Sequence, residues 1–270
     1  MFNNLLIPYG KELSYSQLLN IRGRIVYAVF GEKHPGHLNR FFVNHRYLGK
    51  YGKSSNINIL EIGSANGAFA FWLSRKKEYT VVALDIEKNL ILDCENIRKK
   101  LGRNNLSFIL NDATTKFPQR NTFDIIFSSH VLEHITNDQE VLINAFYALK
   151  PGGVLILQVP YGESQKEPSN EGIKSGHVRD GYSEADLHRK LENAGFEIIS
   201  VTGSIGRIGR FAYRFARQAA KIRIVFNLST ILFPVTLALI YLEQAAAFLR
   251  SREPDFKYGP LVVARRPLYE

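Results

Sequence analysis

Two acidic residues stand at the ends of predicted strands, where their carboxylates could bind a ligand. Glu61 follows an apolar run and precedes a turn of small residues, in the stretch LEIGSANGAFA. Asp85 ends a second apolar run further along the chain. A strand, a glycine-containing turn, a helix and a second strand ending in an acid are typical of a nucleotide-binding βαβ unit, in which the acid binds the ribose hydroxyls. The sequence therefore predicts a nucleotide site formed by this turn and Asp85.

The turn itself indicates the kind of nucleotide. Dinucleotide sites usually carry the pattern G-x-G-x-x-G and hold a pyrophosphate at the helix N-terminus. Here the turn reads GSANG from Gly63 to Gly67, directly after Glu61. The Glu61 carboxylate would repel an anion and attract an amino group or a sulfonium. We expect the two glycines to permit a tight turn and to let the backbone approach the ligand closely.

This stretch matches the signature E-x-G-x-x-x-G, and from here on the chain resembles the class I S-adenosylmethionine (SAM) methyltransferases. The segments that carry the resemblance further are NDA at 111–113 after a third predicted strand, FDIIFSSHVLEHI at 123–135, LKPGG and the strand VLILQVP at 149–160, and a helix and sixth strand after Tyr182. The resemblance covers residues 55–203 and is strongest to the small-molecule and lipid branch, of the methyltransferase type 11 kind. It implies SAM as the cofactor.

The resemblance also implies roles for individual residues. The first turn takes the methionine end of SAM, Asp85 takes the ribose hydroxyls, and Asp112 accepts from the adenine amine. Ile86 and Ala113 pack beside the adenine, and the backbone around Ser129 lies at the sulfonium end. The full predicted cofactor set is Glu61, Gly63, Ser64, Ala65, Gly67, Asp85, Ile86, Asp112, Ala113 and Ser129. For Asp85 and Asp112, capping of the following helix is the alternative interpretation.

Two histidines are candidates for a general base, which is needed if the acceptor must lose a proton. His130 follows the fourth predicted strand at the carboxyl edge, where α/β sheets bind ligands. His177 lies in the long loop after the fifth strand, facing the same edge. Alignment and desolvation without a dedicated base remain an alternative. The resemblance implies a partly structural role for the LEH turn at 132–134, and Arg179 either holds an anionic acceptor or pairs with Asp180.

Composition limits the classes of protein. A chain of 270 residues, 45% of them hydrophobic, predicts one α/β domain with additions. The single cysteine, Cys94, excludes a disulfide framework, a cysteine-based zinc site and cytosine-C5 chemistry, and fits a cytoplasmic enzyme. The histidines at 34, 37 and 45, with Arg40 and Arg46, make the N-terminal region basic. They are too loosely spaced for a metal site, so none is predicted. The opening MFNNLLIPYG lacks the pattern of a signal peptide.

The formal charge of +10 implies an anionic partner. On a predicted helix after residue 206, cations form a stripe beside an apolar stripe, as in helices that lie at a membrane surface. These cations are Arg207, Arg210, Arg214, Arg217 and Lys221. They alternate with apolar residues and form no stacking platform, so we expect an anionic membrane surface and no nucleic-acid partner. A core helix with a solvated basic face is the alternative.

The uncharged run at 224–242 is nearly long enough to span a bilayer. Its polar residues, the cations on both sides and a strand-like segment at 260–264 argue against a single span. That last segment resembles the final strand of the family, which pairs antiparallel beside strands five and six. We expect a helical hairpin that dips into one leaflet, covers an apolar pocket or forms a homodimer contact.

Together these patterns predict a doubly wound, seven-stranded Rossmann-like methyltransferase sheet. The predicted units are a helical cap at 1–55, a SAM-binding core at 56–203, a helical insertion at 204–256 and the final core strand at 257–270. Within the cap, helices are predicted at 14–30 and 37–48, followed by a linker at 49–56. The expected function is O-methylation of an apolar or lipid-linked acceptor, such as a glycan, quinone precursor or lipid, by an enzyme peripheral on the inner membrane face. The alternatives are a soluble small-molecule methyltransferase whose insertion is a lid or dimer interface, and an inactive SAM-fold membrane adaptor.

Overall fold

The computed structural model describes residues 9–32, 35–52, 55–117, 119–162, 169–174, 176–204, 211, 235, 239 and 259–268. Its centre is a seven-stranded sheet. The strands are β1 (Ile57–Ile62), β2 (Tyr79–Asp85), β3 (Leu106–Leu110), β4 (Phe123–Ser129), β5 (Leu149–Gln158), β6 (Glu197–Gly203) and β7 (Pro260–Arg265). Their order is β3-β2-β1-β4-β5-β7-β6, and β7 runs antiparallel to both of its neighbours. The predicted fold class and the predicted position of the last strand are confirmed.

The helices lie on both faces of this sheet, as a doubly wound fold requires. They are α1 (Ile21–Phe30), α2 (Pro35–Tyr51), α3 (Ala68–Leu73), α4 (Lys88–Lys100), α5 (Asp138–Ala148), α6 (Asn170–Lys174) and α7 (Glu184–Asn193), with short 3-10 helices at Lys11–Tyr15 and Leu132–His134. Alternate strand residues separate the core into two layers. Ile59 and Val81 pack with residues of α2, α3 and α4, whereas Leu60 and Val82 pack with α5 and α7.

The N-terminal cap differs from its prediction. A single helix was expected over residues 14–30, but the chain leaves helical geometry between Tyr15 and Ile21. The cause is the buried carboxylate of Asp93 on α4, which accepts hydrogen bonds from Ser16 Oγ at 2.6 Å and from the Gln17 amide at 2.8 Å. Asn20 then caps α1 by accepting from the Gly23 amide at 2.8 Å. The second cap helix runs on to Tyr51, into the predicted linker.

Most of the predicted insertion lies outside the described residues. This holds for the basic stripe and for the uncharged run at 224–242, apart from Val235 and Leu239. Phe211 and Val235 are exposed, and Leu239 packs against Leu38 of the cap. Among the residues that are described, no helix is both long and apolar enough to cross a membrane.

Candidate functional site

A cavity of about 520 Å³, including its open mouth, lies at the carboxyl ends of β1 and β4. One wall is the turn between β1 and α3, with Glu61 at its base. The opposite wall is the cap, which contributes Tyr9 and the α2 residues Arg40 and Asn44. Open α/β sheets bind ligands at this edge.

Glu61 has the most unusual electrostatics of this cavity. Its Oε2 atom is sequestered from solvent and has no hydrogen-bond partner among the described residues. Burial and, secondly, the nearby negative charge of Asp85 raise the pKa of Glu61 to about 8, against a contribution from the Ala70 backbone that lowers it. An unpartnered carboxylate in a cavity is costly unless a ligand supplies a donor or a positive charge. The cavity base is therefore built to receive a cationic or hydrogen-bond-donating group.

The turn that follows Glu61 is fixed by backbone conformation and by packing. Gly63 has φ of 73°, and a Cβ built on it would lie 2.2 Å from Val131 Cγ2. Gly67 has φ of 74°, and its Cβ would lie 2.8 Å from the Phe108 ring. Both glycines are thus required by the protein's own packing, in addition to the tight turn and the close approach to a ligand that the sequence suggested. Ser64, between them, has a buried Oγ without a partner in the described part of the chain.

Asp85 connects the end of β2 to this turn. Its Oδ2 accepts a hydrogen bond from the Ala65 amide at 2.7 Å, and its Oδ1 accepts from the Glu87 amide at 2.9 Å. The residue at the N-cap of α4 is Glu87, so Asp85 does not have the helix-capping position that the alternative interpretation required. Each carboxylate oxygen retains capacity for a second hydrogen bond. Asp85 can therefore still accept from ribose hydroxyls.

The predicted adenine residues lie at the ends of β2 and β3, and none of them lines the cavity itself. Ile86 is largely exposed, with 64% of its surface accessible. Asp112 is exposed and accepts from both the amide and the hydroxyl of Thr114 at 2.8 Å. The Asn144 side chain donates to the carbonyl of Ala113 at 3.1 Å and thereby holds this loop against α5. These residues form an open shelf beside the cavity.

Hydrogen bonds between polar side chains link β5, α2 and β4 at the other side of the cavity. Gln158, at the end of β5, donates to Asn44 Oδ1 at 2.5 Å, and Asn44 donates to Ser129 Oγ at 3.4 Å. The Oε1 atom of Gln158 is buried and finds no partner within the described residues. This arrangement fixes Ser129 at the cavity wall and links the cap to the sheet.

His130 follows Ser129 in a left-handed conformation, with φ of 58°. Its Nδ1 lies 3.1 Å from Oε1 of Glu133, which is fully buried. Burial alone would raise the pKa of Glu133, but the hydrogen bond and charge of His130 outweigh it, so this pKa lies below its ordinary value. The ionised carboxylate holds the Nδ1 proton of the imidazole and leaves Nε2 to accept a proton.

His177 reaches the same region from the loop after β5. Its ring packs edge-on against His134, with 4.7 Å between ring centres. Burial is the main reason that the pKa of His177 lies below its ordinary value. His134 Nδ1 lies 3.1 Å from the Gly176 carbonyl, so a hydrogen bond links the LEH turn to this loop.

Arg179, predicted to hold an acceptor or to pair with Asp180, does neither. Its guanidinium is buried against the Asp138 carboxylate and donates to the Ile135 carbonyl at 2.8 Å. Asp180 instead accepts from the Ser169 amide at 2.7 Å. Both interpretations of Arg179 were therefore wrong, because its true partner lies on α5, which local sequence could not indicate.

The structure brings five of the predicted cofactor residues into the cavity wall: Glu61, Gly63, Ser64, Ala65 and Ser129. It adds residues that sequence reasoning did not assign to the site, chiefly Tyr9 and Phe41, whose rings stack at 4.2 Å, together with Asn44. The sequence indicated only that α2 carries cations, of which His37 and Arg40 line the cavity.

A family model described as a methyltransferase domain matches residues 53–195, more than half of the chain. The chain belongs to this methyltransferase family. It carries a methyltransferase domain with the class I fold, for which the sequence resemblance implies SAM as the cofactor. The buried Oε2 of Glu61, the buried hydroxyl of Ser64 and the remaining acceptor capacity of Asp85 fit that cofactor, which carries an amino group, a sulfonium and ribose hydroxyls.

The chain is also similar to curated proteins. Phosphoethanolamine N-methyltransferase 1 of Triticum aestivum is 30% identical over 175 residues, which are 62% of this chain and 34% of that protein. The tRNA U34 carboxymethyltransferase of Aliivibrio fischeri (strain MJ11) is 28% identical over 103 residues, 38% of this chain and 32% of that protein. The chain thus spans about a third of the length of these relatives.

Solved structures share the fold. Phosphoethanolamine N-methyltransferase 2 of Haemonchus contortus, in complex with SAM, has a TM-score of 0.60 at 15% identity, covering 93% of this chain and 61% of that one. A SAM-dependent methyltransferase from Aquifex aeolicus has a TM-score of 0.51 at 23% identity, covering 63% of this chain and 88% of that one. At these identities the likeness establishes the fold alone.

Proposed function

We propose that the chain methylates the amino nitrogen of a small phosphorylated amino alcohol, with phosphoethanolamine as the first acceptor to test. The observation that carries the donor half of the proposal is the buried, unpartnered Oε2 of Glu61 in the cavity. The acceptor half is supported by the similarity to a phosphoethanolamine N-methyltransferase and by the guanidinium of Arg40, which lines the cavity together with His37. A phosphate group is attracted by a guanidinium.

In this proposal the predicted cofactor residues, in the cavity and on the shelf beside it, have defined tasks. Glu61 binds the amino group of SAM, Asp85 binds the ribose hydroxyls, and Ile86, Asp112 and Ala113 form the adenine shelf. Ser64, with the backbone from Gly63 to Gly67, holds the methionine end, and Ser129 lies at the sulfonium end. When bound, SAM supplies an activated methyl group, so the protein has to align the acceptor and manage its proton.

Of the two predicted bases, His130 is the better candidate to accept the proton of the acceptor. Glu133 fixes its tautomer from a distance of 3.1 Å, so Nε2 carries the lone pair. A histidine oriented by a buried carboxylate is the arrangement that general-base catalysis uses elsewhere. The ring of His177 contacts His134 and has no such carboxylate among its hydrogen-bond partners in the described residues.

The proposal is tested in two steps on the purified protein. Calorimetric titration should detect SAM and its demethylated product, and transfer of a radioactive methyl group should then occur with phosphoethanolamine but much less with ethanolamine, which lacks the phosphate. His130→Asn should lower turnover by at least about a hundredfold while SAM still binds. SAM binding without transfer to phosphoethanolamine would refute the acceptor, and absence of SAM binding would revive the inactive-adaptor alternative.

Methylation of a lipid-linked acceptor, including O-methylation, remains the second candidate. One observation favours it: Ile21, Ile25 and Val29 form an exposed apolar stripe along α1, with between 58% and 76% of each residue accessible. Such a stripe on a basic protein suits the interfacial layer of an anionic membrane. Leu239 packs on Leu38, which also contacts Tyr9 of the cavity wall. Methyl transfer to lipid extracts, with loss of vesicle binding in an Ile25→Asp variant, would support the lipid-linked acceptor.

A further inference from the structure

Three potential metal ligands meet beside the proposed base, outside the cofactor cavity. A carboxylate oxygen of Glu133 and one nitrogen each of His134 and His177 lie within 4.8 Å of one another. Glu133 and His134 belong to the 3-10 helix that follows β4, whereas His177 comes from the loop that precedes α7. Tertiary structure therefore assembles this cluster from two distant segments.

Hydrogen bonds hold the two segments together. The Val178 amide donates to the Glu133 carbonyl at 2.9 Å, and the Gly176 carbonyl faces His134 Nδ1 at 3.1 Å. Both residues that flank His177 are thereby tied to the 3-10 helix. Arg179 continues this attachment by donating to the carbonyls of Ile135 and Thr136. The backbone positions of all three side chains are thus fixed before any ligand arrives.

The hydrogen-bond donors and acceptors match those of a metal site. Because a carbonyl can only accept, His134 Nδ1 carries the proton and Nε2 carries the lone pair. A metal-binding histidine usually donates its other N–H to a carbonyl or carboxylate in this way. Glu133 is fully buried, and one of its oxygens is engaged by His130. Its other oxygen, Oε2, is buried without a partner among the residues that the structure describes.

We propose that Glu133, His134 and His177 bind a divalent transition-metal ion of the zinc class. Two imidazoles and one carboxylate suit zinc and its first-row neighbours, whereas magnesium and calcium prefer oxygen ligands alone. A tetrahedral ion with bonds of about 2.0–2.1 Å separates its ligands by roughly 3.3 Å, so modest side-chain rotations close the site. Three protein ligands leave a coordination position for water or for an oxygen of the acceptor.

The test uses the full, untagged chain after treatment with a chelator and dialysis. Titration calorimetry with zinc chloride should show one saturable ion per chain, and cobalt(II) should give a visible absorption spectrum typical of nitrogen and oxygen ligands. His134→Ala and His177→Ala should each weaken zinc binding by at least about tenfold, since loss of mere supporting groups already costs that much. His188→Ala, which changes a half-buried histidine on α7 outside the cluster, is the matched control and should bind zinc as the parent does.

The outcomes separate this proposal from the proposed function, because zinc binding is measured without SAM or an acceptor. Thermal unfolding by circular dichroism verifies that each variant is folded. Absence of saturable zinc binding in the parent would overturn the proposal. So would zinc binding that is equally strong in the parent and in both histidine variants, because the ion would then occupy another site.

Discussion

Replacement of Glu61 by glutamine should stabilise the protein and weaken SAM binding at the same time. The side chain keeps its shape, and the amide oxygen retains the acceptor that the Ala70 backbone uses. What disappears is a buried carboxylate beside Asp85, whose Oε2 has no hydrogen-bond partner among the described residues. The variant therefore separates the stability cost of this carboxylate from its function.

The magnitude follows from the pKa of Glu61, which is raised from 4.5 to about 8 in the folded protein. Below pH 4.5 the residue is neutral in both the folded and the unfolded chain, and it costs nothing. As the pH rises, the unfolded chain loses the proton first, and each pH unit lowers stability by about 1.4 kcal/mol. The cost reaches about 3 kcal/mol at pH 7 and about 5 kcal/mol above pH 8, where it levels off.

Urea denaturation of parent and Glu61→Gln at several pH values measures this cost. The variant should equal the parent near pH 4.5 and exceed it by about 3 kcal/mol at pH 7. Glu78→Gln removes an exposed carboxylate just before β2 and should give no pH-dependent difference. A stability difference for Glu61→Gln that stays constant between pH 5 and pH 8 would refute the reasoning.

SAM binding to the same variant completes the test. The parent should release about one proton per SAM bound at pH 7, because the cationic ligand forces Glu61 to ionise. Loss of the charged hydrogen bond should raise the dissociation constant of Glu61→Gln by about tenfold to a hundredfold, and the proton release should vanish. Unchanged affinity would place the amino group of SAM elsewhere.

Three further substitutions test other parts of the structure. Asp85→Ala should weaken SAM binding by about tenfold or more in calorimetry, because the ribose hydroxyls lose a charged acceptor; an unchanged dissociation constant would contradict the placement of the ribose. Gly63→Ala should lower the free energy of unfolding by about 2–5 kcal/mol in urea, since it combines a left-handed conformation with a clash against Val131, and a second change, Val131→Ala, should recover part of that loss. Asp138→Ala should destabilise the protein by about 3–5 kcal/mol, because it leaves the buried guanidinium of Arg179 unpaired; a loss below 1 kcal/mol would show that this pair is not structural.

The sheet could be predicted from the sequence because its signal is local. β3 directly precedes the NDA segment and β4 begins the FDIIFSSHVLEHI segment, as predicted, since each is a short apolar run that ends in polar residues. The turn after Glu61 and its proximity to Asp85 could be predicted for the same reason, because they belong to one βαβ unit. The cap was harder to predict. Ser16 leaves helical geometry because of Asp93, which is distant in sequence, and no local pattern contains that information.

The acceptor half of the site could not be predicted for a related reason. Tyr9, Arg40 and Asn44 reach the cavity only because the cap folds across the ends of β1 and β4. The polar link from Gln158 through Asn44 to Ser129 joins three elements, and no spacing rule relates them. Sequence could indicate that the cap is basic, but not which of its residues face the cofactor turn.

Glu61 and Glu133 show how one sheet edge can hold two buried carboxylates in opposite states. Glu61 is buried beside another acid, so its pKa is raised and it gains from a cationic ligand. Glu133 is buried beside His130, so its pKa is lowered and it stays ionised without a ligand. The first carboxylate suits the binding of a positively charged methyl donor, and the second suits the orientation of a base or of a metal ion. Asp85 on β2 lies beside Glu61, and His130 at the end of β4 lies beside Glu133. The fold therefore gives each carboxylate the neighbour that its proposed role requires.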